Sequence, residues 1–236
     1  MANLKDAKAS GFFHGLIYGE SGVGKTSLIG TFPDPYIIST DYNLEPLYGM
    51  DVEYDQMYGL VGDAGAKDIW PALMEKVDAW VKSPEHETFA LDSLTTVADV
   101  VVAHELGKVG RKTLQLQDYN SVYAELMRLV VKLRKMPCNS VLTAHEETSR
   151  DDLSGKIKIF PLVIGNKFAP KLPMFFTNVY NAIVDIPRNI KQETERYLLV
   201  QPDGTRLAKT QARNTDMRIT KSHEAIMEHI NKREES

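Results

Sequence analysis

The chain has 236 residues, 43% hydrophobic and 25% charged, with a net charge of −4. That suits one sizeable soluble α/β domain, and the acidic balance confines any nucleic-acid contact to local basic patches. The single Cys138 excludes an internal disulfide and fits a reducing, cytoplasmic setting; no run of about 18 apolar residues is present to cross a membrane, and Met1 to Asp6 lacks a signal-peptide core.

In chain order, Phe13 to Tyr18 reads as a buried strand. It feeds Gly19-Glu20-Ser21-Gly22-Val23-Gly24-Lys25-Thr26-Ser27, a G-x-x-x-x-G-K-T phosphate-binding loop. The glycines let backbone N–H groups turn toward a triphosphate, Lys25 reaches the β- and γ-phosphates, and the Thr26 hydroxyl ligates Mg²⁺. Ser27-Leu28-Ile29 opens a helix whose positive end faces the same anion. Tyr36 to Thr40 is a second strand, set off by Pro33 and Pro35. Helical spacing runs from Ile69 to Val81, and Pro84 closes it.

Thr88 to Asp92 is a third strand, which delivers a carboxylate to the sheet edge where ligands bind in open parallel sheets. Asp92 is placed to hold Mg²⁺ beside Thr26; the plainer alternative is a cap on the next helix. Tyr119 to Lys135 is the clearest amphipathic helix, with Val122, Leu126, Leu129, Val130 and Leu133 on one face. Ser140 to Ala144 is a fourth strand, followed by His145-Glu146-Glu147. The alternation predicts a mostly parallel sheet covered by helices on both faces.

Residues 148–173, with Gly155, Pro161, Gly165, Pro170 and Pro173, read as a long loop of the kind that is usually functional or disordered. Val179 to Ile186 and Tyr197 to Val200 read as strands, and Pro202-Asp203-Gly204 as a hairpin turn into Arg206 to Thr210. A charged helix is expected over 222–235. Hydrolysis needs a group to orient the attacking water, and either Asp41 or Glu45 could serve. His145, at a strand end, could sense a γ-phosphate, although a lone His is more often structural.

The order of phosphate loop, strand-Asp41-x-x-Leu44-Glu45, Ala90-Leu91-Asp92-Ser93, strand-His145 and then an irregular loop is similar to the ATPase core of RecA-type recombinases. The likeness spans about residues 12–215 of one domain and resembles phage-encoded RecA-core proteins that anneal single strands. The resemblance implies a P-loop fold with a C-terminal antiparallel hairpin, ATP and Mg²⁺ as ligands, and ATP hydrolysis. It places Asp41 where the family carries its catalytic carboxylate, usually Glu, and His145 where many relatives carry a γ-phosphate-sensing Gln. It makes Lys209 and Arg213 candidates to reach a neighbour's triphosphate in a ring or filament. Lys108, Arg111 and Lys112 fall at the first DNA loop.

Arg150, Lys156, Lys158, Lys167 and Lys171 stand in the long loop with Phe160 and Phe168, against Asp151 and Asp152. The residues alone read as a solvated, flexible loop whose aromatics anchor it to the core; the resemblance implies single-stranded DNA binding there, through phosphate neutralisation and base stacking. The expected partners are single-stranded DNA, further copies of the chain and a single-strand-binding protein, in a host cytoplasm if the chain is phage-encoded. Two other functions share the phosphate loop: a nucleotide-controlled assembly module without DNA, and a nucleotide kinase. The kinase needs an Arg-rich lid, and Arg188, Arg196, Arg206 and Arg213 do not cluster as one.

Overall fold

Side chains of the central strands enter two different cores in alternation. The computed structural model describes residues 11–58, 65–150, 155–164, 169, 171–186, 194–212 and 216–232. In chain order the elements begin with β1 (His14–Tyr18), α1 (Lys25–Ile29), β2 (Pro35–Ser39), β3 (Glu53–Gln56), α2 (Ala66–Lys82), β4 (Thr88–Asp92), α3 (Leu94–Val109), α4 (Asp118–Leu133) and β5 (Asn139–Ala144). They continue with β6 (Glu146–Arg150), β7 (Ile157–Pro161), β8 (Asn178–Asp185), β9 (Glu195–Leu199), β10 (Arg218–Thr220) and α5 (His223–Asn231).

Eight strands form one sheet in the order β10-β9-β8-β1-β5-β4-β2-β3. The pairs from β8 through β3 are parallel, while β9 runs antiparallel to both β8 and β10. Leu16 and Tyr18 of β1, Phe89 and Leu91 of β4 and Leu142 of β5 pack with α2, α3 and α4. Ile17, Ala90 and Val141 on the opposite face pack with Leu28 and Ile29 of α1 and Ile226 of α5. This two-faced burial is the reason the parallel strands read as continuous apolar runs.

The expected helices and parallel strands form within a few residues of their sequence boundaries, and four features differ. First, α3 is a full helix after Asp92, with Val97, Ala98, Val100, Val101, Val102 and Ala103 all buried between α2 and α4. Because apolar residues surround its axis, it has no amphipathic stripe to reveal it. Second, β3 is an edge strand whose Glu53, Tyr54, Asp55 and Gln56 are partly or largely exposed, so no apolar alternation marks it.

Third, the segment expected as an irregular loop over 148–173 contains a hairpin. Strands β6 and β7 pair from Glu146↔Pro161 to Arg150↔Ile157, and a 3₁₀ turn covers Leu172–Phe175. Fourth, the chain after Pro202-Asp203-Gly204 does not fold back on β9. Its carbonyl and amide groups bridge Ile159 of β7 and Val179 of β8, while the antiparallel partners of β9 are β8 and β10. The N–H and C=O of Lys209 both bond Val179, at 2.8 Å each. Residues 233–236 of the expected C-terminal helix lie outside the described residues.

Candidate functional site

The phosphate loop joins β1 to α1 at the C-terminal ends of the parallel strands, next to the crevice where such sheets bind ligands. Gly24 takes φ +85, a left-handed conformation that suits glycine. A Cβ on Gly19 would sit 2.5 Å from the Ala182 carbonyl oxygen, so the loop lies hard against β8. Lys25 is 7% exposed, and its ammonium donates to the Gly19 and Glu20 carbonyls at 2.9 and 2.8 Å. Burial lowers its pKa, with Asp92, Asp41 and Glu146 opposing that shift. Asn181 of β8 braces the base of the loop, donating to the Tyr18 carbonyl and to Glu146 Oε2 at 3.2 and 3.1 Å.

Asp92 ends β4 at 1% exposure. Its Oδ2 accepts from the Thr26 hydroxyl at 2.7 Å, and its Oδ1 accepts from the Thr143 hydroxyl of β5. Burial pushes its carboxyl up and the charge of Asp41 adds to this, outweighing the two hydroxyl donors and Lys25. A hydroxyl and a carboxylate are hard oxygen donors, the type Mg²⁺ selects. No group of three or more His, Cys, Asp and Glu among the described residues could hold a metal alone. The pair therefore fits a cation that takes its other ligands from phosphate and water, as Mg²⁺ does in nucleotide sites. Thr26 and Asp92 would hold it, and it would supply charge neutralisation on the phosphates.

Asp41 stands two residues beyond β2, and its Oδ1 accepts from Thr96 Oγ1 at 2.8 Å and Ser93 Oγ at 3.2 Å. His145 Nε2 lies 3.5 Å from Asp41 Oδ2. Burial alone would raise the Asp41 carboxyl, but His145, Thr96 and Ser93 together hold it below its ordinary range. His145 is the single residue between β5 and β6, and its N–H donates to Thr95 Oγ1 at 2.9 Å while its carbonyl accepts from Leu162 at 2.8 Å. The other sequence candidate for water orientation, Glu45, is exposed at the start of a 3₁₀ turn and does not line the cavity shared by Asp41 and His145.

These residues share one cavity of about 450 Å³, lined by Ser21, Gly22, Gly24, Lys25, Thr26, Ser27, Asp41, Asn43, Pro46, Asp92 and His145, with Arg196 and Lys221. Of the loop, Gly19, Glu20 and Val23 stand outside that lining. Sequence reasoning missed Lys221, and weighed Arg196 only as part of a kinase lid. Arg196 lies on β9 and Lys221 directly after β10, far along the chain with no motif around them, and the β9–β10 register sets them opposite each other.

The remaining candidates are more dispersed. The ammonium of Lys209 donates to the Phe176 and Pro173 carbonyls of its own chain at 2.8 and 3.2 Å. Arg213 and Lys167 lie outside the described residues. Lys108 pairs with Glu105 and Arg111 with Asp118, each at 2.6 Å, while Lys112 is exposed. At 1.5 Å per residue, Lys108 lies roughly 20 Å along α3 from the Asp92 end. Arg150, Lys156 and Lys158 are exposed on the β6–β7 hairpin, and Phe160 is half-buried there. The ammonium of Lys171 lies 5.7 Å from the Tyr123 ring centre.

In sequence, the family model described as AAA domain matches residues 13–212. No curated protein matches the chain. Among solved structures it is similar to a KaiC-like protein from the hyperthermophilic archaeon Pyrococcus horikoshii OT3, with 14% identity and a TM-score of 0.49 over 89% of this chain and 84% of that one. It is also similar to the flagellar accessory protein FlaH from Methanocaldococcus jannaschii, with 11% identity and a TM-score of 0.44 over the same shares. With a phosphate loop at the end of the first parallel strand and a family match across most of its length, the chain belongs to the AAA domain family.

Proposed function

We propose that this protein binds ATP with Mg²⁺ in the cavity around the phosphate loop and uses nucleotide state to control single-stranded DNA binding by the β6–β7 hairpin. Acting as a homo-oligomer, it would promote strand annealing. One observation carries the reading: His145 pairs with Asp41 inside the cavity and is the single residue between the central strand β5 and the hairpin that carries Arg150, Lys156 and Lys158. A change at the γ-phosphate would reach the hairpin through one side chain and the peptide units beside it.

Lys25 sits at the base of the cavity, where leaving the two loop carbonyls would let its ammonium meet the β- and γ-phosphates. Asp41, held ionised by its donors, can accept a proton from an attacking water and orient it. Because His145 and that water compete for the same carboxylate, occupancy of the cavity bears on where the imidazole sits. The hairpin offers Arg150, Lys156 and Lys158 for phosphates and Phe160 for stacking. Lys209 would act on a neighbour's nucleotide only after leaving its carbonyls, and Arg213 belongs to the same proposed trans arm.

The test is anisotropy of a labelled single-stranded oligonucleotide with no nucleotide, with ADP, and with a non-hydrolysable ATP analogue plus Mg²⁺. The expected result is tightest binding with the analogue. Equal affinity in all three states would remove the switch. No binding in any state would remove the DNA function and favour a nucleotide-controlled assembly module.

A further inference from the structure

Arg196 and Lys221 meet at the phosphate loop although they are distant in sequence. In the β9–β10 register Thr220 faces Tyr197, which sets Lys221, the residue after β10, opposite Arg196. The Lys221 ammonium donates to the Val23 and Gly24 carbonyls at 2.9 and 3.2 Å. Arg196 Nη1 reaches the Val23 and Gly22 carbonyls at 3.3 and 3.4 Å. A Cβ on Gly24 would fall 2.3 Å from the Lys221 nitrogen, so the ammonium is seated directly on the loop backbone. Both side chains line the nucleotide cavity.

Like charges placed opposite each other across two strands repel. No carboxylate among the described residues lies within 4.0 Å of either one. Their acceptors are neutral carbonyls, so among the described residues neither positive charge has a carboxylate partner. Burial and the charge of Arg196 both hold the Lys221 pKa down. Two cations kept together at the rim of a cavity, with no anion beside them among the described residues, make a site for one.

We infer that Arg196 and Lys221 form a phosphate-binding arm that acts on the nucleotide in the same chain, opposite Lys25. This rests on the proposed ATP site and deepens it: phosphate recognition is completed within one protomer, and a neighbour's Lys209 or Arg213 is not needed for affinity. The glutamine variants Arg196→Gln and Lys221→Gln remove the charge while keeping a polar amide, and the dependence of the loss on the number of phosphates separates this role from a structural one.

Binding of fluorescent ATP, ADP and AMP analogues would be titrated at several protein concentrations for the unaltered chain, each glutamine variant, their double variant and Lys25→Ala. The expected result is about a tenfold loss of ATP affinity per cation, as for a charge-assisted bond. The loss should shrink from ATP to ADP to AMP, weaken with added salt, and stay constant across protein concentration. ATP affinity unchanged in the variants, while Lys25→Ala loses binding, overturns this inference and leaves the proposed ATP site standing. An equal loss for all three nucleotides also overturns it, marking the pair as a loop support. A folded, unaltered chain that binds no ATP overturns the ATP site itself, and the arm with it.

Discussion

Asp92→Asn should stabilise the fold while weakening the proposed Mg²⁺ site. At 1% exposure the carboxylate gives up nearly all its hydration, a cost of several kcal/mol for an ion. The Thr26 and Thr143 hydroxyls return about 1.5–3 kcal/mol each. The raised carboxyl pKa shows that desolvation prevails. Asparagine keeps the shape and one acceptor oxygen, and either hydroxyl can turn to accept from its amide. A net gain of about 1 kcal/mol is expected, or about 2–4 °C in Tm for a chain of this size.

The pH dependence has a definite sign. The folded carboxyl titrates above the 3.8 of the unfolded chain, so between the two values the native state holds more protons. The contribution of Asp92 to stability therefore falls as pH rises through that window, and the asparagine variant should lack this slope. Urea titrations at several pH values would measure both effects, with nucleotide binding followed in Mg²⁺ and in EDTA. A destabilisation beyond about 2 kcal/mol would refute the reasoning, because it would make the buried carboxylate a net support of the fold. Unchanged Mg²⁺ dependence would remove Asp92 from the metal site.

Three further results are expected. Asp41→Asn should slow ATP hydrolysis by about 10²–10⁴-fold with nucleotide affinity nearly unchanged, as read by phosphate release. Since its folded carboxyl lies below 3.8, Asp41 supports stability above that value and loses the support as pH falls through the folded pKa. Trp70→Phe deletes the indole donor to Glu125 Oε2 at 2.9 Å, which ties α2 to α4, and should cost about 1–3 kcal/mol in urea unfolding. Arg150→Ala with Lys158→Ala should flatten the log–log salt dependence of oligonucleotide binding by about 0.7 per lost phosphate contact; an unchanged slope would place the DNA elsewhere.

Much of the fold is legible in the sequence because both faces of the parallel sheet are buried. Phe89-Ala90-Leu91 must then be apolar throughout, and the loop at 19–27 carries a fixed spacing. The amphipathic face of α4 shows for the opposite reason, since only one side of it is covered. The β6–β7 hairpin leaves no such trace, because Glu147, Thr148, Ser149 and Arg150 are exposed whichever way they point. Asp41, Asp92 and His145 could be found because each closes or follows a readable strand. Arg196 and Lys221 could not, because their meeting is a property of strand order.

The deep burial of α3 bears on how copies of the chain could assemble. Val97, Ala98, Val100, Val101, Val102 and Ala103 are buried and only a narrow side with Asp99 and Lys108 is exposed, so α2 and α4 must stay seated on it. They turn residues such as Lys67, Glu75 and Lys82 outward, which gives that flank a hydrated surface. The two rims of the sheet differ in charge, with Glu53 on β3 and Arg218 on β10. If copies of the chain met through those rims, the unlike charges would suit a head-to-tail contact, which closes into a ring or continues as a filament, over two-fold pairing.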